Sequence, residues 1–143
     1  MTLKDIMAIS GYPGLFKFIA QARNGIIVEA LDGGKRMNAN ANMKVSSLGD
    51  IAIFTEAEEV PLKDVFKKIR EKAGSEAAPD AKSDPKKLAA FFAEVLPTYD
   101  RERVYMSDIK KVMTWYNLML SHQILDILDA PDEEVKEEKK EGE

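Results

Sequence analysis

A chain of 143 residues, 45% of them apolar and 32% charged, has material for one ordinary domain or two small ones and none for a second, enzyme-sized domain. Without a single cysteine it has no disulfide scaffold, thiol nucleophile or thiolate metal site. The net charge of −4 is unevenly placed: residues 129–143 hold eight acidic and three basic side chains, and the nearly neutral remainder lacks the basic stripe by which nucleic-acid binders grip phosphate.

The opening Met1-Thr2-Leu3-Lys4-Asp5 has neither a basic leader nor a long apolar core. No apolar run approaches the roughly 18 residues that span a bilayer, so a cytoplasmic protein with no membrane contact is expected. Leu3, Ile6 and Met7 fit a short helical turn leading into a strand near Ala8 and Ile9. Gly11-Tyr12-Pro13-Gly14 predicts a turn that can present Tyr12 outward, although packing over one end of the fold is the commoner use of such a ring. Residues 15–21 alternate, with Phe16, Phe18 and Ala20 on one face and Leu15, Lys17, Ile19 and Gln21 on the other. Asn24-Gly25 predicts a type I′ hairpin turn, residues 26–31 the return strand, and Asp32-Gly33-Gly34 a second turn. Alternation then resumes, with Arg36, Asn38 and Asn40 facing one way and Met37, Ala39 and Ala41 the other. Residues 47–50 fit a single helical turn, and residues 51–55 another strand. Short strands joined by tight turns predict a small SH3-like antiparallel β-barrel over residues 1–57, because closing the sheet removes edges that invite pairing. An open sheet capped by helices is the alternative.

Glu56, Glu58 and Glu59 form an acidic connector before a helix that starts near Pro61 and ends at Gly74. Leu62, Val65, Phe66 and Ile69 make its apolar stripe. Lys63, Lys67, Lys68, Arg70 and Lys72 make a solvated face, diluted by Asp64 and Glu71. Residues 74–83, small and polar, predict a flexible linker. Asp84-Pro85 opens a second helix with Leu88, Phe91, Phe92 and Val95 inward, closed by Pro97. Ser107 or Asp108 caps a third, expected to run to about Leu128. One stripe on it passes through Ile109, Val112, Met113, Tyr116, Met119 and Ile124, and a second through Trp115, Leu118 and Leu125. Two stripes need two covers, so Trp115, Leu118 and Leu125 are candidates for self-association into a homo-oligomer. The fold class is therefore α+β: the barrel, then a bundle of about three helices over 58–130, then a disordered acidic tail over 131–143.

No catalytic constellation emerges, and the expectation is a protein that is not an enzyme. His122 stands four residues before Asp126, but two ligands do not make a metal site. Gly33-Gly34-Lys35 lacks the spacing and the following Ser or Thr of a phosphate loop. The acidic clusters fall in connectors and tail, where nothing shifts a carboxyl into catalytic use. No cofactor is implied. The candidate partner-binding residues are Tyr12, Lys17, Arg36, Asn38 and Asn40.

The segments Leu3-Lys4-Asp5-Ile6, Ile9-Ser10-Gly11, Pro13-Gly14-Leu15, Asn24-Gly25, Val28-Glu29 and Gly34-Lys35-Arg36 carry a resemblance. So do Val60-Pro61-Leu62-Lys63-Asp64-Val65-Phe66, Val104-Tyr105-Met106-Ser107-Asp108-Ile109-Lys110-Lys111 and Trp115-Tyr116-Asn117-Leu118. They resemble an uncharacterised Bacteroidetes-type family of short two-part proteins, catalogued as a domain of unknown function, over nearly all of residues 2–128. The resemblance implies a β-rich N-terminal part and a helical C-terminal part, and brings no activity, cofactor or site residue. Two roles follow as expectations: a non-catalytic scaffold whose barrel binds a protein partner, or a nucleic-acid-associated regulator using Lys17, Lys35, Arg36 and Lys44. The weak basic character favours the first and makes nucleic acid the less expected ligand.

Overall fold

Strands form in the N-terminal half where apolar and polar residues alternate, and the buried face fixes their register. The computed structural model describes residues 2–129 apart from 13 and 41. The acidic stretch 131–143, expected to be disordered, lies outside the described residues. Two compact units divide the chain: one runs up to Ile51 and resumes at Ile124, the other is Ala52–Gln123.

In the first unit a 3-10 turn, Leu3–Asp5, precedes strands β1 (Ile6–Ile9), β2 (Phe16–Ala22), β3 (Gly25–Ala30), β4 (Arg36–Asn40) and β5 (Val45–Ser47), and a second 3-10 turn, Leu48–Asp50, follows. The strands make one sheet in the order β4-β3-β2-β1-β5, every pairing antiparallel. Ile9, Phe16, Val28 and Ala39 are its buried centre, packed against the half-buried Met7, Ile26, Ala30, Met37, Met43 and Val45.

The pairing does not close into the expected barrel. Among the described residues β4 and β5 each have one neighbour, and the strand expected to continue the barrel at 51–55 is committed elsewhere. It is β6 (Ala52–Phe54), which pairs with β7 (Glu59–Pro61) in a hairpin of the second unit. Thr55 makes that hairpin possible in acid-rich sequence. Its buried hydroxyl accepts from the N–H groups of Ala57 and Glu58 and donates to the Glu58 carbonyl, which turns the expected connector into a turn.

Two further details differ from the alternation read in sequence. The β2–β3 register slips between Phe18 and Ala20, so Ile19 is an extra residue and the faces exchange beyond it. Ala20 therefore lies on the side of Lys17, and Gln21 on the side of Phe18. The two residues between β2 and β3 are Arg23 and Asn24, with Ala22 opposite Gly25. Neither has a positive φ, so this is not the expected type I′ turn. Gly25 is required for a different reason: a Cβ there would stand 2.0 Å from the Ala39 carbonyl oxygen across the β3–β4 pair. The turn at Asp32-Gly33-Gly34 is as expected, with φ of 89° and 70° at the two glycines.

The second unit adds three helices to the hairpin: α1 (Leu62–Ala73), α2 (Pro85–Val95) and α3 (Met106–Ser121). Leu62, Val65, Phe66 and Ile69 of α1 are buried, as the stripe predicts. Asp84 caps α2 by accepting from the Lys86 N–H at 2.9 Å, and Leu88, Phe92 and Val95 point inward. Phe92 meets Tyr99 edge-on with centroids 4.9 Å apart, and Phe66 meets Tyr116 at 6.0 Å. At the start of α3 the Asp108 carboxylate accepts from the Tyr105 N–H at 3.0 Å.

Residues 75–83, expected as a flexible linker, form no helix or strand, yet their middle is held. Ala78 is 5% exposed. Its N–H donates to the Asn117 side-chain oxygen at 2.8 Å, and its carbonyl accepts from the Asn117 side-chain nitrogen at 3.0 Å. Helix α3 also stops a full two turns short of the expected Leu128. His122 is its C-cap, Gln123 adopts φ 59°, and the chain continues as a 3-10 turn, Leu125–Asp129, belonging to the first unit.

Candidate functional site

Directly opposed residues in an antiparallel sheet share a face, so register places the polar side chains. Lys17 opposes Glu29, and Glu29 opposes Arg36. The three form a row of alternating charge across β2, β3 and β4, with Arg36 Nε 3.0 Å from Glu29 Oε1. One step along, Ala20, Ile27 and Asn38 make the next row, and then Ala22, Gly25 and Asn40. Lys17, Arg36, Asn38 and Asn40 thus do lie together on one face, with all but Lys17 exposed. Alternation within one strand does not single out Glu29, yet its place between Lys17 and Arg36 changes the electrostatics. A carboxylate between the two cations leaves a mixed surface in place of a positive one.

Tyr12 stands apart from that group. It is 47% exposed on the loop between β1 and β2 and meets Phe16 edge-on at 6.5 Å. Phe16 belongs to the buried, opposite face. Tyr12 is thus both partly presented and partly packed.

The edge of the sheet at β4 has a direction that the hydrogen bonds fix. Ala30 N–H donates to the Lys35 carbonyl at 2.8 Å, so Ala30 and Lys35 are a hydrogen-bonded pair. Such pairs recur every second residue, which makes Val28–Met37 and Ile26–Ala39 the next ones. Arg36, Asn38 and Asn40 occupy the intervening positions and turn their backbone groups away from β3. The Asn40 carbonyl accepts from Met43 N–H at 3.0 Å. The N–H and C=O of Arg36 and Asn38, and the N–H of Asn40, face outward with no strand beyond them among the described residues.

The corresponding edge in the second unit is covered. Asp100 N–H donates to the Phe54 carbonyl, and Glu56 N–H to the Thr98 carbonyl, both at 2.9 Å, so the loop after α2 lies along β6. Asp100 orders that loop. Its carboxylate accepts from the N–H groups of Glu102 and Arg103 and from Arg103 Nε at 2.9 Å. The Arg103 guanidinium bonded to Asp100 holds its carboxyl below the usual carboxylate range. Arg103 also lies over the Phe54 ring at 4.4 Å, and Arg101 over Tyr99 at 4.1 Å. Between α1 and α2 an open groove of about 460 Å³ is lined by Lys68, Glu71, Lys72, Glu94, Val95 and Pro97. Lys72 pairs with Glu94 across it, so this part of the expected solvated face serves helix packing.

Trp115, Leu118 and Leu125 do not make one stripe. Trp115 and Leu118 are half-buried on α3, while Leu125 lies beyond the left-handed Gln123, off the helix. The same break removes Asp126 from the helical position four residues after His122. Among the described residues no group of three or more His, Asp or Glu side chains is arranged to hold a metal ion, and no helix is long and apolar enough to cross a membrane.

Two family models match the chain, each described as a domain of unknown function: DUF5606 over residues 3–48 and DUF6852 over residues 51–119. A solution NMR structure from Bacteroides vulgatus, a structural genomics target, is 47% identical, with a TM-score of 0.73. The alignment covers 86% of this chain and 89% of that one. No curated protein matches.

Proposed function

Because the chain belongs to the same uncharacterised Bacteroidetes family of two-part proteins as that Bacteroides vulgatus structure, its role has to be argued from its surfaces, and we propose that it is a non-catalytic cytoplasmic interaction protein. In this reading the N-terminal sheet is a partly open, SH3-like barrel that carries the partner-binding surface. Pairing of β1 with both β2 and β5, and a long β2 bent at Ile19, support that description. The observation that carries the functional reading is the convergence of Lys17, Arg36, Asn38 and Asn40 on one face ending at a strand edge with no further strand among the described residues. Mixed charge beside exposed amide side chains suits a protein surface better than a phosphate backbone.

A photo-cross-linking residue at Asn38 in the native cell, with the exposed Lys87 of α2 as the control position, tests it. A discrete adduct from position 38 alone, unaffected by nuclease, is the expected result. An adduct that disappears on nuclease treatment transfers the reading to the nucleic-acid alternative, and no adduct from position 38 refutes the surface.

A further inference from the structure

The β4 edge, which no strand covers among the described residues while the β6 edge is covered by its own loop, is a place where an extended chain can add to the sheet. We propose that the partner adds as a strand antiparallel to β4, and that it is an extended segment of another protein reading apolar, polar, apolar, acidic from its N-terminal end. This rests on the interaction reading above and names the chemistry of its partner.

The acidic position follows from charge. A residue laid opposite Arg36 extends the row Lys17, Glu29, Arg36, whose signs alternate, so a carboxylate continues it and an ammonium opposes it. Arg36 is engaged by Glu29 through Nε, and its side chain is 62% exposed. The guanidinium is a fork with further N–H donors beyond the one that Glu29 takes, and these are available to a carboxylate laid opposite.

The apolar positions follow from the other face. Residues laid opposite Met37 and Ala39 fall on the side of Phe18, Val28 and Ile26, where Met37 and Ile26 are half-buried at the margin of the core. An added apolar pair covers that margin. The residue opposite Asn38 lies on the polar face, and its backbone exchanges both hydrogen bonds with Asn38.

A second copy fits this edge less well. Antiparallel pairing of two β4 strands about Asn38 sets each Arg36 against the partner's Asn40, which supplies no carboxylate. The chain's own stretch 132–138, Asp-Glu-Glu-Val-Lys-Glu-Glu, has one apolar residue and cannot supply the alternation.

The test uses the full chain and two acetylated, amidated peptides, Ser-Thr-Val-Thr-Val-Glu-Ser and the same peptide with Lys in place of Glu, read by backbone amide NMR. The glutamate peptide is expected to shift the amides of Arg36, Asn38 and Asn40 saturably, with the lysine peptide about fivefold weaker or worse. Arg36→Glu should reverse that ranking. Should that variant fail to fold, N-methylation of the second threonine, which removes its N–H donor to the Asn38 carbonyl, must still abolish binding to the unaltered protein. Absence of saturable shifts at these amides, or the same ranking in Arg36→Glu, overturns the proposal. Dilution-dependent shifts there without peptide, or shifts there on deleting 131–143, also overturn it by assigning the edge to a second copy or to the chain's own tail. An adduct from position 38 in the cell together with failure of the peptides would leave the interaction surface standing and remove only the strand-addition inference.

Discussion

Asn117 is the side chain whose removal tests most directly how the second unit is held together. It sits half-buried on α3 and meets both backbone groups of Ala78, 39 residues earlier, at 2.8 and 3.0 Å. Replacing it by alanine leaves the amide N–H and carbonyl of the buried Ala78 without this partner, each costing about 1 kcal/mol or somewhat more. The expected loss is therefore about 2–3 kcal/mol, which at a urea slope of roughly 2 kcal/mol per molar lowers the midpoint by about 1 M or slightly more. Asn117→Asp separates the two bonds. Its carboxylate still accepts from the Ala78 N–H but turns a second acceptor toward the Ala78 carbonyl. The cost should equal or exceed that of alanine at neutral pH and shrink as the new carboxyl protonates and can donate. Limited proteolysis supplies the second readout, with cleavage within residues 75–83 rising in step with the loss of stability. A urea midpoint for Asn117→Ala within about 0.2 M of the parent, with unchanged proteolysis, would refute the reasoning and leave the segment as the loose linker that its composition suggests.

Gly25→Ala forces a methyl group into the Ala39 carbonyl and should cost about 1–3 kcal/mol or more, read as a lower urea midpoint and faster amide exchange at Val28 and Ile26. Tyr116→Phe removes a hydroxyl that is buried with no hydrogen-bond partner among the described residues, so it should be neutral or stabilising by up to about 1 kcal/mol, in contrast to Phe92→Ala, which should lose about 3–5 kcal/mol. Asp100 has a carboxyl held below its unfolded value by Arg103, so its contribution is present above the ordinary carboxylate range, near pH 4, and is lost as pH falls through the lower folded value. Asp100→Asn should therefore flatten the acid limb of a stability–pH profile while leaving its slope above about pH 6 unchanged. Light scattering across a hundredfold dilution should return the mass of one chain throughout, because the α3 stripe proposed for self-association is cut at Ser121; a mass that falls on dilution would restore that interface.

Much of this architecture is written in short-range pattern, and what is not depends on partners distant in sequence. The alternation from Arg36 to Asn40 is legible because one side of β4 is buried and the other is wet. Asp84-Pro85 marks a helix start because the cap and the missing N–H act within one turn. The strand at 52–54 is equally legible as a strand, but its partner is not. Pairing with β7 depends on the hydroxyl of Thr55 organising a turn within a run of glutamates, a local bond that acidic composition conceals. The end of α3 carries neither glycine nor proline, since Gln123 takes the left-handed conformation that usually announces itself as Gly or Asn. The candidate surface shows the same division. Lys17, Arg36, Asn38 and Asn40 were recognisable as outward residues strand by strand, whereas the role of Glu29 appears only once register sets it between Lys17 and Arg36. That one carboxylate turns a scattered set of cations into a row of alternating sign that ends at Arg36, so the electrostatics of this face is a property of its register before it is a property of its composition.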